Sequence, residues 1–217
     1  FEGEKNYTYR ILRSLKNRFG STNEIGIFEM RDSGLAEVTN PSELFLSGRN
    51  TEESGIAVVS ALEGTRPILL EAQALVSPSG YGVPQRSSNG YDNRRLQMLL
   101  AVIEKRLGLQ MKSQDVFVNI AGGIYINDTS IDLGIAVSII SSYYDKQISL
   151  KTALLGEIGL TGEVRSVLNI EQRIAEAEKL GMNTIILPKI NYEKLSRKYK
   201  IELIPVEKIS QAITSIM

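Results

Sequence analysis

The chain has 217 residues, with 25 lysines and arginines balanced by 25 aspartates and glutamates, and it contains neither cysteine nor histidine. Disulfides, thiolate nucleophiles, histidine bases and the usual zinc sites are excluded for these residues, and any nucleic-acid binding has to come from a local basic patch rather than from overall charge. A 42% hydrophobic content is enough for a packed core, and no apolar run reaches the roughly 20 residues that span a bilayer, so the chain reads as soluble and cytoplasmic.

The chain opens on Phe1, and its first forty residues carry strand patterns with little helical periodicity, as expected of a piece cut from a larger sheet. Thr8 to Leu15 is rich in β-formers, and Glu24 to Met30 places apolar residues at every second position, which predicts a hairpin-like pair of strands. Between them lies Lys16-Asn17-Arg18-Phe19-Gly20. Alternate strand residues share a face, so Lys16 and Arg18 form a two-cation tip suited to a phosphate oxygen or a carboxylate. The pentapeptide alone favours an ordinary basic strand end. A short strand is expected over Gly34 to Val38, a turn or helix start at Asn40-Pro41-Ser42-Glu43, and a linker at Ser47 to Asn50.

From Gly55 a regular α/β alternation begins. Strands are expected at Ile56 to Leu62 and Ile68 to Val76, followed by a long loop from Ser77 to Tyr91 with two prolines and three glycines. Asp92 caps a helix running to about Leu107 and closed by Gly108. The pattern continues with a strand at Val116 to Ile120, a helix at Ile131 to Tyr143 and a strand pair over Leu154 to Val164 around Thr161-Gly162. It ends with a helix at Ile170 to Leu180, a strand at Thr184 to Leu187, a helix at Tyr192 to Tyr199, a strand at Ile201 to Ile204 and a helix at Val206 to Ile216.

The predicted helix from Asp92 sets Leu96, Leu99, Leu100, Ile103 and Leu107 in one apolar stripe, with Arg94 and Lys105, and Arg95 and Arg106, repeating eleven residues apart in two basic rows beside it. Arg86, with Tyr81 and Tyr91 in the preceding loop, adds a basic and aromatic mix suited to phosphate contact and base stacking, and Arg165 and Arg173 flank the turn into a later helix. A solvated helix face is the alternative for these cations.

Over about residues 55–217 the order of elements resembles the proteolytic domain of the Lon proteases, carried by Gly156-Glu157-Ile158-Gly159-Leu160-Thr161-Gly162-Glu163-Val164 and by Ile185-Ile186-Leu187-Pro188-Lys189. That family places a serine nucleophile in a G-P-S-A-G turn and a lysine base on a later helix. Here the serine turn falls on Ser130-Ile131-Asp132-Leu133-Gly134 and the lysine position on Glu171, so Asp132 and Glu171 replace both catalytic residues. Two acids offer no neutral amine to accept a hydroxyl proton. Ser130 stands two positions away with no evident base. Asp132 and Glu171 also read as a carboxylate pair, but acids in the first turns of helices are the preferred reading.

Together with KNRFG and the following Ser21 to Met30, a Lon-like domain without its dyad resembles the bacterial RadA (Sms) family of DNA repair proteins over the whole chain. The resemblance implies an α/β (α+β) fold: residues 1–50 as the terminal β-strands of a RecA-like ATPase core with the KNRFG motif, and residues 51–217 as a proteolytically inactive Lon protease-like domain of the ribosomal-protein-S5-domain-2-like type. It implies an ATP-driven, ring-forming, hexameric DNA motor that acts on single-stranded or branched DNA, promotes branch migration and works with a recombinase filament away from membranes. Lys16 and Arg18 would then contact a neighbouring subunit's nucleotide in trans. ATP, Mg and a zinc finger belong to that family's full-length proteins, whereas this chain carries no Gly-x-x-x-x-Gly-Lys-Ser/Thr loop. Two other readings stand beside it: an active Lon-type Ser/Lys peptidase, and an oligomerisation module that does not bind DNA.

Overall fold

The computed structural model describes residues 9–13, 25–38, 40–46, 53–80 and 82–216. In chain order the elements are β1 (Tyr9–Arg13), β2 (Ile25–Arg31), β3 (Gly34–Glu37), α1 (Pro41–Leu46), β4 (Ile56–Glu63), β5 (Arg66–Pro78), β6 (Arg86–Asn89), α2 (Asn93–Leu107), β7 (Gln114–Ile120) and α3 (Asp132–Tyr144). They continue with β8 (Thr152–Leu154), β9 (Glu157–Ile158), β10 (Val164–Arg165), α4 (Ile170–Lys179), β11 (Thr184–Pro188), α5 (Lys189–Tyr192), β12 (Glu202–Val206) and α6 (Ile209–Ile216). The chain is mixed α/β.

A seven-stranded sheet runs in the order β12-β11-β8-β4-β5-β7-β6. The pairs from β12 to β4 and the pair β7/β6 are parallel, and β5 is antiparallel to both its neighbours. β4 and β5 form a hairpin around Gly64, which adopts φ 63° in the two-residue turn. Ala57, Val59 and Ala61 alternate with Val58 and Ser60, and all five are buried, because the sheet carries a hydrophobic layer on each face. One layer gathers Leu96, Leu100 and Ile103 of α2, Ile135 and Ile139 of α3, and Ala212 of α6. The other packs Ile174 and Ala177 of α4 against Val58, Leu69 and Ile185.

β1, β2 and β3 form a separate antiparallel sheet, as the alternation predicts. α1 lies before the expected boundary at residue 50 and nevertheless packs on the later sheet. The Ser42 hydroxyl accepts from Leu69 N–H at 3.1 Å and donates to Glu176 at 2.9 Å, while the Phe45 ring lies over Gly122, where an added Cβ would stand 2.5 Å from it.

Two local expectations differ from the structure. The segment from Ser77 to Tyr91 holds β6, whose sequence RSSN has no apolar alternation to mark it as a strand. Backbone pairing to β7 alone makes it one. The helix expected over Tyr192 to Tyr199 does not form: α5 spans Lys189–Tyr192, so only Tyr192 of the expected range is helical. Lys194, Arg197 and Lys198 would have stacked like charges at i, i+3 and i+4 on a continued helix.

α3 approaches β4 closely enough that a Cβ on Gly134 would stand 2.1 Å from Val59 Cγ1 and 3.6 Å from Leu154 Cβ of the core strands. Gly134→Ala is therefore expected to destabilise the fold by about 1–3 kcal/mol through overpacking, despite alanine's higher helix propensity, as a lower urea midpoint at unchanged slope would record.

Candidate functional site

α2 begins as its sequence predicts: Arg95 N–H donates to the Asp92 side chain at 2.7 Å, and Gly108 closes the helix in the left-handed region, its N–H on Glu104 O at 3.1 Å. The apolar stripe is buried, with Val102 added to it and Leu107 at its half-buried margin. Arg94, Lys105 and Arg106 face solvent. Arg95 does not, since its side chain is 22% exposed and turns inward to Asp132.

Asp132 stands in the first turn of α3 with no solvent exposure. One carboxylate oxygen accepts from Arg95 Nε at 2.6 Å and from the Tyr91 hydroxyl at 2.8 Å; the other accepts from Arg95 Nη2 and from Ile158 N–H at 3.1 Å. Burial pushes the carboxyl up from its ordinary value, opposed by the hydrogen bonds of Arg95, Tyr91 and Ile158. Tyr91 is pushed up by burial and by the Asp132 charge, and Arg95 by its hydrogen bond to Asp132, so at neutral pH the phenol remains a proton donor and the guanidinium a cation. Tyr91 is 3% exposed, so the base-stacking role expected of it is corrected to one inside the fold. Tyr81 lies outside the described residues.

A second buried group surrounds Arg173. It is 1% exposed, and its guanidinium donates to Asp128 at 2.6 Å, Ser130 Oγ at 2.8 Å, Leu168 O at 2.8 Å and the carbonyl of Ser60. Ser130 is also 1% exposed and donates its own hydroxyl proton to Ser60 O at 3.0 Å. The carboxylate beside this hydroxyl, Asp128, is ion-paired to Arg173, and the buried hydroxyl has no open side for a substrate. Arg173 is also removed from the expected DNA-facing set, for the physical reason that no surface ligand reaches it.

The sequence reading missed this group, although signals for it were present. Arg173 lies with Ile170, Ile174 and Ala177 at i, i+3, i+4 and i+7, a cation in the core stripe of α4. Asp128 caps the turn Thr129–Ile131, accepting from Ser130 N–H at 3.0 Å.

Glu171 takes a separate place. Its carboxylate accepts from the Ser196 hydroxyl at 2.8 Å, whereas Asp132 serves Arg95, Tyr91 and Ile158, and the two acids share no hydrogen-bond partner. The carboxylate-pair reading therefore has no geometry behind it. Arg86 is half-buried and donates to Met111 O at 3.2 Å. Arg165 is exposed, beside Glu163 and, at 3.5 Å, Glu157. Hydrogen bonds from Thr161 and Arg165 hold Glu163 down at about 2. Between α2 and the β9/β10 hairpin lies a groove of about 270 Å³ lined by Arg95, Met98, Val102, Leu160 and Arg165. Lys16 and Arg18 lie outside the described residues.

Over 213 residues, 98% of its length, the chain is 51% identical to DNA repair protein RadA of Halalkalibacterium halodurans and covers 47% of that protein. It is 49% identical over 213 residues, 98% of its length, to DNA repair protein RadA of Bacillus subtilis, covering 46% of it. It is also 49% identical over 216 residues, its whole length, to DNA repair protein RadA of Streptococcus pyogenes serotype M1, covering 48%. Residues 82–191 match the family model described as subunit ChlI of Mg-chelatase. The chain is a RadA-type member of that family. It spans about half the length of these curated relatives. The matched segment begins just before β6 and encloses α2, α3, the β9/β10 hairpin and α4, and with them both buried polar groups apart from the Ser60 carbonyl.

Burial alone would raise the Asp128 carboxyl, but the Arg173 guanidinium and the Ser130 hydrogen bonds outweigh it and hold Asp128 below its ordinary 3.8. A carboxyl held low stabilises the fold above its ordinary value, and that contribution is lost as pH falls through the lowered one. Urea unfolding of the wild type should weaken below about pH 4, and Asp128→Asn should flatten that acid limb. Arg173→Met should cost about 3–5 kcal/mol at neutral pH by leaving Asp128 without its counter-ion, and the double variant should recover part of the loss.

Proposed function

We propose that the chain works in DNA repair as part of an ATP-driven, ring-forming motor for branch migration, with residues 51–217 as a Lon-like scaffold for assembly and DNA contact that has no peptidase chemistry of its own. The observation that carries this reading is the state of the two dyad positions. Asp132 is enclosed by Arg95, Tyr91 and Ile158, and Glu171 supports Ser196, so neither position offers a nucleophile or a neutral amine. The relatives' name, DNA repair protein RadA, supports the repair role.

The DNA-contact part rests on Arg94, Lys105 and Arg106, the exposed cations of α2, with Arg86 and Arg165 at its margins. Arg95 supports this surface from behind by fixing α2 to Asp132. The hexameric ring, the recombinase filament as partner, a cytoplasmic setting and the reach of Lys16 and Arg18 to a neighbour's nucleotide follow from the family resemblance. No described helix is long and apolar enough to cross a membrane. Among the described residues no group of three or more His, Cys, Asp or Glu could hold a metal ion, and ATP, Mg and zinc enter only through the family resemblance.

The test has two arms. Casein should remain intact, and Ser130→Ala should change nothing; cleavage that disappears in this variant would return the chain to the peptidases. Single-stranded DNA should bind with a salt-dependent affinity that Arg94→Ala/Lys105→Ala/Arg106→Ala weakens, flattening the log–log salt slope by about 2 for three lost phosphate contacts. An unchanged slope would favour an assembly module without DNA contact through α2.

A further inference from the structure

A second basic surface lies away from α2. Residues 194–200 read Lys-Leu-Ser-Arg-Lys-Tyr-Lys, four cations in seven residues of a chain whose charges balance overall at 25 and 25. The segment follows α5, and its residues 197–200 line, with Glu178 and Lys179 of α4, a cavity of about 640 Å³.

The loop is held in shape by acids that do not neutralise it through ion pairs. Glu171 and Glu178 stand seven residues apart on α4, about two turns, and so on one face. Glu171 accepts from the Ser196 hydroxyl at 2.8 Å, while Glu178 accepts from Lys200 N–H at 2.7 Å and Ile201 N–H at 3.3 Å. Each end of the loop is thus tied down through its hydroxyl or backbone N–H groups. Arg197 lies over the Tyr199 ring, 4.8 Å from its centroid. Among the described residues no ion pair engages Lys198 or Lys200.

We infer that the clamped loop Ser196–Lys200 is a preformed contact surface for the phosphodiester backbone of single-stranded nucleic acid, with Arg197, Lys198 and Lys200 as its phosphate-binding groups and Glu171 and Glu178 as positioning residues. The inference deepens the DNA-contact reading and rests on it. Preformed cations lose little conformational freedom on binding, which separates this loop from scattered surface lysines. It also gives Glu171 a definite role: it shapes a basic loop.

The experiment measures binding of the whole chain to a fluorescent oligothymidylate across a salt series, comparing wild type, Arg197→Ala/Lys198→Ala/Lys200→Ala and the α2 triple variant. The loop variant is expected to bind about tenfold or more weakly near 0.1 M salt, with the log–log slope flattened by about 2. The charge-conserving Arg197→Lys/Lys198→Arg/Lys200→Arg should retain the wild-type slope. Matching thermal melts establish that each variant is folded. A loop variant that binds like wild type overturns the inference, and if the α2 variant is weakened at the same time the DNA-contact reading stands. Wild type that binds no oligothymidylate overturns both.

Discussion

The enclosed carboxylate of Asp132 fixes how three separate pieces of this fold meet. It sits in the first turn of α3 and takes hydrogen bonds from Arg95 on α2, from Tyr91 just before α2 and from Ile158 N–H on β9. A buried charge is tolerable only when its oxygens are satisfied and a counter-ion is present, and here both conditions hold. The orientation of α2 against α3 follows, and with it the direction of every cation on α2. Arg94, Lys105 and Arg106 point outward in part because Arg95 is directed inward.

Arg173 does similar work on the other face of the sheet. Its guanidinium joins α4 to Asp128, Ser130 and the Ser60 carbonyl of β4, so the cap of one turn, a buried hydroxyl and a central strand share one cation. Arginine suits this place because its planar fork donates in several fixed directions at once. The consequence for chemistry is direct: the serine nearest to the expected nucleophile position is a structural donor and acceptor. The polar groups at positions 130 and 132, where a nucleophile was looked for, serve packing.

The basic residues therefore sort into two kinds. Arg95 and Arg173 act inside the fold, whereas Arg94, Lys105 and Arg106 on α2 and Arg197, Lys198 and Lys200 after α5 stay at the surface. Acids decide the sorting. Asp132 and Asp128 draw their arginines inward by ion pairs, but Glu171 and Glu178 accept from the hydroxyl and backbone N–H groups of the 196–201 segment and form no ion pair with its cations. The same kind of residue, an acid on a helix facing a basic segment, thus has opposite effects on the exposed charge.

The sequence by itself determined the elements whose signals are local. The Asp92 cap, the stripe of Leu96, Leu99, Leu100 and Ile103 and the Gly108 stop define α2 because capping and helical periodicity act within a few residues. The β4/β5 hairpin was legible for the same reason, and the RadA-type kinship from whole phrases of sequence. Tertiary structure decided what depends on partners distant in the chain. β6 exists through its pairing to β7, Arg95 was indistinguishable from Arg94 until Asp132, 37 residues away, claimed it, and Arg173 is separated by 45 residues from Asp128. Periodicity states which face of a helix a cation occupies; only the packed neighbour supplies the buried carboxylate that determines whether that cation turns inward or remains in water.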